Sequence, residues 1–240
     1  MSSKLHGTIS KHLAAAQLML DNTLAQPEIL EAVRVRGYSE VDLAEGQRLQ
    51  RRTTAAVAAQ SLAAGEARRT TEQANAAEQQ ARVAYQGLVQ TVRAIYPANT
   101  AQRTMLKVVG PMPVGTAKFI AAATILFSNA LNATEIAGVL AKYGYEETTL
   151  QHEHALILRY QQIVQAQALA KGAAKRATQA QTKAHNEMQQ WITRYAKITK
   201  IALRTRPDLL KALGITMQNG RSEQNSTPEE SSPPPAPPQS

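Results

Sequence analysis

The amino-acid sequence predicts an all-α protein: an elongated antiparallel helical bundle or coiled coil, built from two tandem helical-hairpin units with pseudo-twofold symmetry. Three observations predict it. The stretches "GYSEVDL" (37–43) and "GYEETTL" (144–150) stand 107 positions apart. Each follows apolar residues at helical spacing and opens a long run without proline, from Glu40 to Tyr96 and from Glu147 to Arg206. Aligned without gaps at that offset, Ile9–Leu43 and Thr116–Leu150 agree at 12 of 35 positions, including Lys11, Asn22, Leu24, Glu28, Ile29, Gly37, Tyr38 and Leu43. Self-similarity of this length marks a repeated structural unit.

Each unit begins with an arm, expected over 9–36 and 116–143. Leu13, Leu20, Leu24, Ile29 and Val33 recur on one helical face. A bend is expected near Pro27 or Thr134, since the first turn of a helix accepts proline. Gly37 and Gly144 then supply the left-handed residue that closes a helix, with the next Tyr packing back on the preceding turn. Ser39 and Asp42 form an S-x-x-D capping box, and Glu146 and Glu147 place negative charge at the equivalent helix start.

The long helices are expected over 40–96 and 147–206. At 1.5 Å per residue each is a rod of roughly 80 Å, about twice as long as its arm. The arm therefore covers only half, and the distal halves must bury their seams elsewhere: Ala74, Ala77, Ala81, Ala84, Leu88 and Ile95 in the first, and Ala177, Ala184, Met188, Trp191, Tyr195, Ile198 and Ala202 in the second. Their alternating steps of three and four are coiled-coil spacing, with small residues that let backbones approach. The other long helix is the economical partner and a second copy of the chain the rival. Trp191, Tyr195 and Tyr85 read as seam packing.

Short closing helices are expected over 101–109 and 207–213. "LKVVG" (106–110) answers "LKALG" (210–214), at an offset three residues shorter than that of the arms. The units thus run 9–110 and 116–214. A Pro-rich segment, 218–240, is expected to be disordered, and its "PPPAPP" offers a P-x-x-P match to SH3-like grooves.

Composition narrows the function. Ala dominates the apolar residues, and with two Phe, one Trp and seven Tyr few side chains fill a thick interior. There is no Cys, which removes disulfides, thiolate metal sites and a cysteine nucleophile and fits a reducing cytoplasm, the expected location. The start "MSSKLHGTISKHLAAAQLML" places basic residues before an apolar run, but Gln17 interrupts it and no cleavage signal follows. "FIAAATILF" (119–127) is far short of the roughly 20 apolar residues that span a bilayer, so no membrane span is expected. It reads as a buried arm rather than a membrane-inserting element.

No catalytic residue, cofactor or metal ligand is expected. None of His6, His12, His152, His154 and His185 has Asp or Glu three positions earlier, as a di-metal helical bundle requires, and no phosphate-binding loop, nucleophile elbow or zinc-protease motif occurs. The remaining signal is charge. The net charge of +9 divides into +4 over 1–115, +7 over 116–214 and −2 over 215–240. Lys171, Lys175, Arg176, Lys183, Arg194, Lys197, Lys200 and Arg204 project away from the seam and form a candidate anion or nucleic-acid face. No aromatic side chain sits among them to stack a base, so an ordinary solvated outer face is the preferred reading.

The arms, which follow the motif "A-x-x-L-x-[ND]-N-x-L" except for Met19 in the first and Ser128 in the second, together with the "GY" corner, the long Ala/Gln-rich helix and the "L-L-x-A-L-G" ending, resemble a group of uncharacterised bacterial tandem-unit long-helix proteins. The matching residues are Asn22, Leu24, Gly37, Tyr38, Leu209, Leu210, Leu213 and Gly214, the first unit ending instead in "MLKVVG". The resemblance covers about nine tenths of the chain and implies the fold and no activity. The function expected is a non-enzymatic scaffold or protein-interaction protein, with a protein partner or self-association; sequence-independent nucleic-acid binding is the alternative.

Overall fold

A computed structural model describes residues 2–98 and 100–215, with side chains from Gly7 onward; the Pro-rich segment lies outside them. All elements among the described residues are helical: α1 Ser2–Ala25, α2 Pro27–Arg34, α3 Glu40–Ile95, α4 Ala101–Met105, α5 Thr116–Asn132, α6 Thr134–Ala141, α7 Glu147–Ala202 and α8 Pro207–Ala212. The two long helices, α3 and α7, have 56 residues each and pack against one another with shorter helices around them. The bounds of α2 and α6, and of α3 and α7, differ by 107 at both ends.

Each expected arm is a bent pair of helices. Gln26 adopts an extended conformation before Pro27, and Ala133 does the same between α5 and α6, whose axes meet at 92°. Pro27 occupies the position where its missing N–H leaves no donor unsatisfied. At both corners the left-handed glycine is present, Gly37 with φ 88° and Gly144 with φ 86°. The next amide reaches back across the turn, Tyr38 N to Val33 O at 3.1 Å and Tyr145 N to Leu140 O at 3.1 Å, as in a Schellman closure. The capping box forms too: Ser39 N donates to Asp42 Oδ2 at 2.9 Å and Asp42 N to Ser39 Oγ at 3.3 Å.

Contacts divide the chain differently from the repeat. Among the described residues one unit joins 2–50 to 187–215, and the other lies within 51–186. In the first, α1, α2, the start of α3, the end of α7 and α8 share a core of Leu20, Ile29, Val33, Leu43, Trp191, Tyr195 and Leu213. Trp191 and Tyr195 stack at 5.0 Å, and Tyr38 meets both edge-on. The indole lies directly on the backbone of α3 at Gly46, where a Cβ would stand 2.4 Å from Trp191 Cζ2. Thr23, fully buried, gives its proton to Met19 O at 2.6 Å and accepts from Tyr195 Oη at 2.5 Å. Asn22 Nδ2 donates to Ala212 O at 2.6 Å and so fastens the arm to the end of α8.

The second unit packs α5 and α6 against the later half of α3 and the first half of α7. Its core includes Ala81, Tyr85, Leu88, Phe119, Ala123, Phe127, Leu140, Leu150 and Tyr160. Tyr85 meets Phe119 edge-on at 5.4 Å, and the Arg82 guanidinium lies 4.7 Å over the same ring. Here Asn129 Nδ2 donates to Met105 O at 2.5 Å, fastening α5 to the end of α4. The long helices run antiparallel within this unit: Thr53 Oγ1 donates to Ala184 O near one end, while Glu78 meets Tyr160 near the other.

The distal seams are therefore covered by more than the opposite long helix. Ala77, Ala81, Ala84 and Leu88 of α3 share a core with α5 and α6, the arm that precedes the other long helix. Met188, Trp191 and Tyr195 of α7 share theirs with α1 and α2. An alanine stripe is too shallow to bury much on its own, and a third helix supplies the missing bulk.

The two largest shortfalls from the expected helix ends are those of α7 and α4. α7 ends at Ala202, not Arg206, because a residue before proline is disfavoured in the helical region and Leu203–Thr205 form a turn ahead of Arg206 and Pro207. α4 ends at Met105 because Lys107 turns left-handed, with φ 55°. Val108 N then reaches Arg103 O, as Ile215 N reaches Leu210 O past Gly214, φ 68°. Lys107 and Gly214 are 107 apart, so the closing turns correspond at the offset of the arms and not at the shorter one suggested by the letters.

Gly46→Ala should lower stability by about 1–3 kcal/mol, as overpacking does, where an unobstructed mid-helix glycine would gain about 0.5–1 kcal/mol; urea unfolding followed by Trp191 fluorescence measures the sign. Lys107→Gly should instead stabilise by about 1 kcal/mol, by relieving a left-handed non-glycine residue.

Candidate functional site

Charge is divided unequally between the long helices. α3 carries seven basic and six acidic side chains, and α7 carries eight and three. On α3 the pairing is local: Arg48 with Glu45 at 2.6 Å, Arg69 with Glu66 at 2.7 Å and Arg82 with Glu78 at 2.7 Å. On α7 no ion pair holds Lys171, Lys175, Arg176, Lys183, Arg194, Lys197 or Lys200 among the described residues, and all seven are exposed. Asp42 feels Arg194 through space, although its hydrogen bonds to Ser39 do more to hold its carboxyl below the usual range.

The predicted basic residues fall in both contact units. Lys171, Lys175, Arg176 and Lys183 belong to the unit 51–186, whereas Arg194, Lys197, Lys200 and Arg204 belong to the other. Arg204 is also not on the helix, because α7 has already ended and the residue sits in the exposed turn before Arg206.

A second feature was not read from the sequence. α5 buries Phe119, Ala123, Leu126, Phe127 and Ala130, so "FIAAATILF" is an arm in contact with a core, but only on one side. Its other side, with Thr116, Ala117, Ile120, Ala121, Thr124 and Ile125, forms a groove of about 690 Å³ with Gln161, Val164 and Gln165 of α7. The walls are mostly carbon. Thr124 Oγ1 is buried there without a hydrogen-bond partner. The signal available in the sequence was that α5 is apolar on more than the stripe its core needs, with Ile120 only partly buried against the core and Ile125 off it.

Burial perturbs a polar pair on α7. His154 stacks on Phe127 at 6.2 Å and 14°, and its Nε2 is buried without a hydrogen-bond partner, as is Glu153 Oε2. Desolvation raises the Glu153 carboxyl above its ordinary 4.5 and lowers the His154 imidazole below its ordinary 6.5. Desolvation also raises the Tyr145 phenol, and Glu153 adds to that rise. Among the described residues no three of His, Asp and Glu gather where they could hold a metal ion. No single helix there is long and apolar enough to cross a membrane; the bent pair α5 and α6 passes that test only jointly.

Compared with known proteins, the chain matches no family model, no curated protein and no solved structure. Fold and sites stand on the residues themselves.

The buried pair gives a signed pH dependence. A carboxyl raised by folding leaves the folded state most favoured below 4.5, and that advantage is lost as pH climbs through its folded value. An imidazole lowered by folding has its full stability above 6.5 and loses it as pH falls. Glu153→Gln should therefore raise the urea midpoint at pH 7 and flatten its decline above pH 4.5, and His154→Gln should flatten the loss below pH 6.5.

Proposed function

We propose that this chain is a tandem duplication of a helical hairpin, forming an elongated antiparallel bundle with pseudo-twofold symmetry that acts as a non-enzymatic scaffold and binds other proteins. The observation that carries the reading is the open apolar groove between α5 and α7, since contiguous apolar surface on a water-soluble fold marks a binding surface more often than chance exposure does. Leu62 and Leu169, 76% and 75% exposed on the long helices, support it. They occupy the same position of the repeat, 107 residues apart. The recurring helix bounds and the matching Asn22 and Asn129 contacts support the duplication.

Affinity purification of the tagged chain from its native cells, followed by light scattering, should return a complex of defined mass well above the 26.0 kDa of the chain. A species that always elutes alone at that mass overturns the reading.

One observation favours a second reading. The excess positive charge of α7 has no acidic partners of its own, unlike that of α3, so it is free to neutralise phosphates in sequence-independent nucleic-acid binding. A low-salt gel shift should then vanish when Lys197, Lys200 and Arg204 are changed to Glu. Changing the same three residues to Ala should lower the slope of log affinity against log salt by about 2.7 on duplex DNA. No shift at low salt ends this reading.

A further inference from the structure

The groove between α5 and α7 has a shape and a direction of charge. Thr116, Ile120 and Thr124 form one ridge of α5 and Ala117, Ala121 and Ile125 the next, each at steps of four. The small Ala117 and Ala121 leave room between those ridges, and helices pack by laying a ridge into such a row. On α7, Gln161, Val164 and Gln165 form the facing wall. Continued at steps of three and four, the same side of α7 carries Ala168, Lys171 and Lys175, past the start of α5 at Thr116.

No acidic residue occurs in 116–132 or in 154–186. A helix lying in the groove therefore meets apolar walls first and two uncompensated lysines beyond them. We propose that the groove seats an amphipathic helix of a partner protein, apolar where it lies against Ala121, Ile125 and Val164 and acidic where it runs over Lys171 and Lys175. This rests on the protein-binding reading above and adds the chemistry of the partner.

Charge selects a foreign helix over a second copy of this chain. The chain's own helices longer than eight residues are all net basic: α1, α3 and α5 at +1 and α7 at +5. Averaged over its length, none of them offers net negative charge to Lys171 and Lys175. Helix-in-groove recognition takes anchors at i, i+3, i+4 and i+7, which this apolar run accommodates.

The test is selection of a displayed library of helical peptides of roughly 18 residues, about five turns, on the full chain. Enriched sequences should carry an apolar stripe and acidic residues toward one end. Ala121→Arg should weaken them at least tenfold, a loss that steric blockage explains because the added positive charge would by itself attract them. The double variant Lys171→Glu, Lys175→Glu should enrich basic ends instead, and circular dichroism should show both variants as helical as the parent. Peptides that bind Ala121→Arg equally would overturn the groove assignment and leave the protein-binding reading standing. A library that yields no binder would count against both. A dimer of the parent chain that Ala121→Arg converts to monomer would place a second copy in the groove and overturn the proposal.

Discussion

Alanine seams bring helix backbones close together but remove little apolar surface from water, so α3 and α7 need a third element wherever they are to enclose a core. The large buried side chains gather where a bent arm supplies that element. Phe119, Phe127 and Leu140 come from α5 and α6 and are received by Ala77, Ala81 and Ala84. Trp191 and Tyr195 come from α7 itself, and the arm α1–α2 with Tyr38 closes over them. Where a large group meets a long helix, the helix gives way: Gly46 lies beneath Trp191 and Gly87 beside the Tyr145 hydroxyl.

Polar side chains set how the arms are held. Asn22 and Asn129 each give an amide proton to the last residue of a short closing helix, Ala212 of α8 and Met105 of α4. A helix end leaves carbonyls without internal partners, and an asparagine amide aimed at one ties two elements with a single directional bond. Residues distant in the chain are joined in the first case and near ones in the second, 190 and 24 positions apart. Similar local chemistry thus serves two different connectivities.

Candidate function concentrates where this covering stops. α5 ends its contact with α7 near Gln161 and Val164, and an apolar groove is left open there. Charge compensation is likewise incomplete on α7, whose glutamates number three against eight basic residues. Neither feature stabilises the fold: an exposed Ile125 gains nothing by burial, and unpaired lysines repel one another. Both are properties of the surface and not of the core.

Much of the fold was legible in the residues. Gly37 and Gly144 announced left-handed closures, Ser39 with Asp42 a capping box, Pro27 a helix start, and the long proline-free runs two helices of near-equal length. These are local matters, decided by backbone sterics and hydrogen bonds within a few residues, which is why the sequence by itself determined them. It also carries 12 identities in 35 positions at an offset of 107, the offset that separates the left-handed Lys107 and Gly214. Tertiary structure alone decided which arm covers which half of a long helix, that the eight basic residues divide between two units, and that one side of α5 stays open. An alanine stripe fits many partners almost equally well, so its partner is chosen by the bulky side chains, glycine gaps and asparagine bonds that only the folded chain brings together.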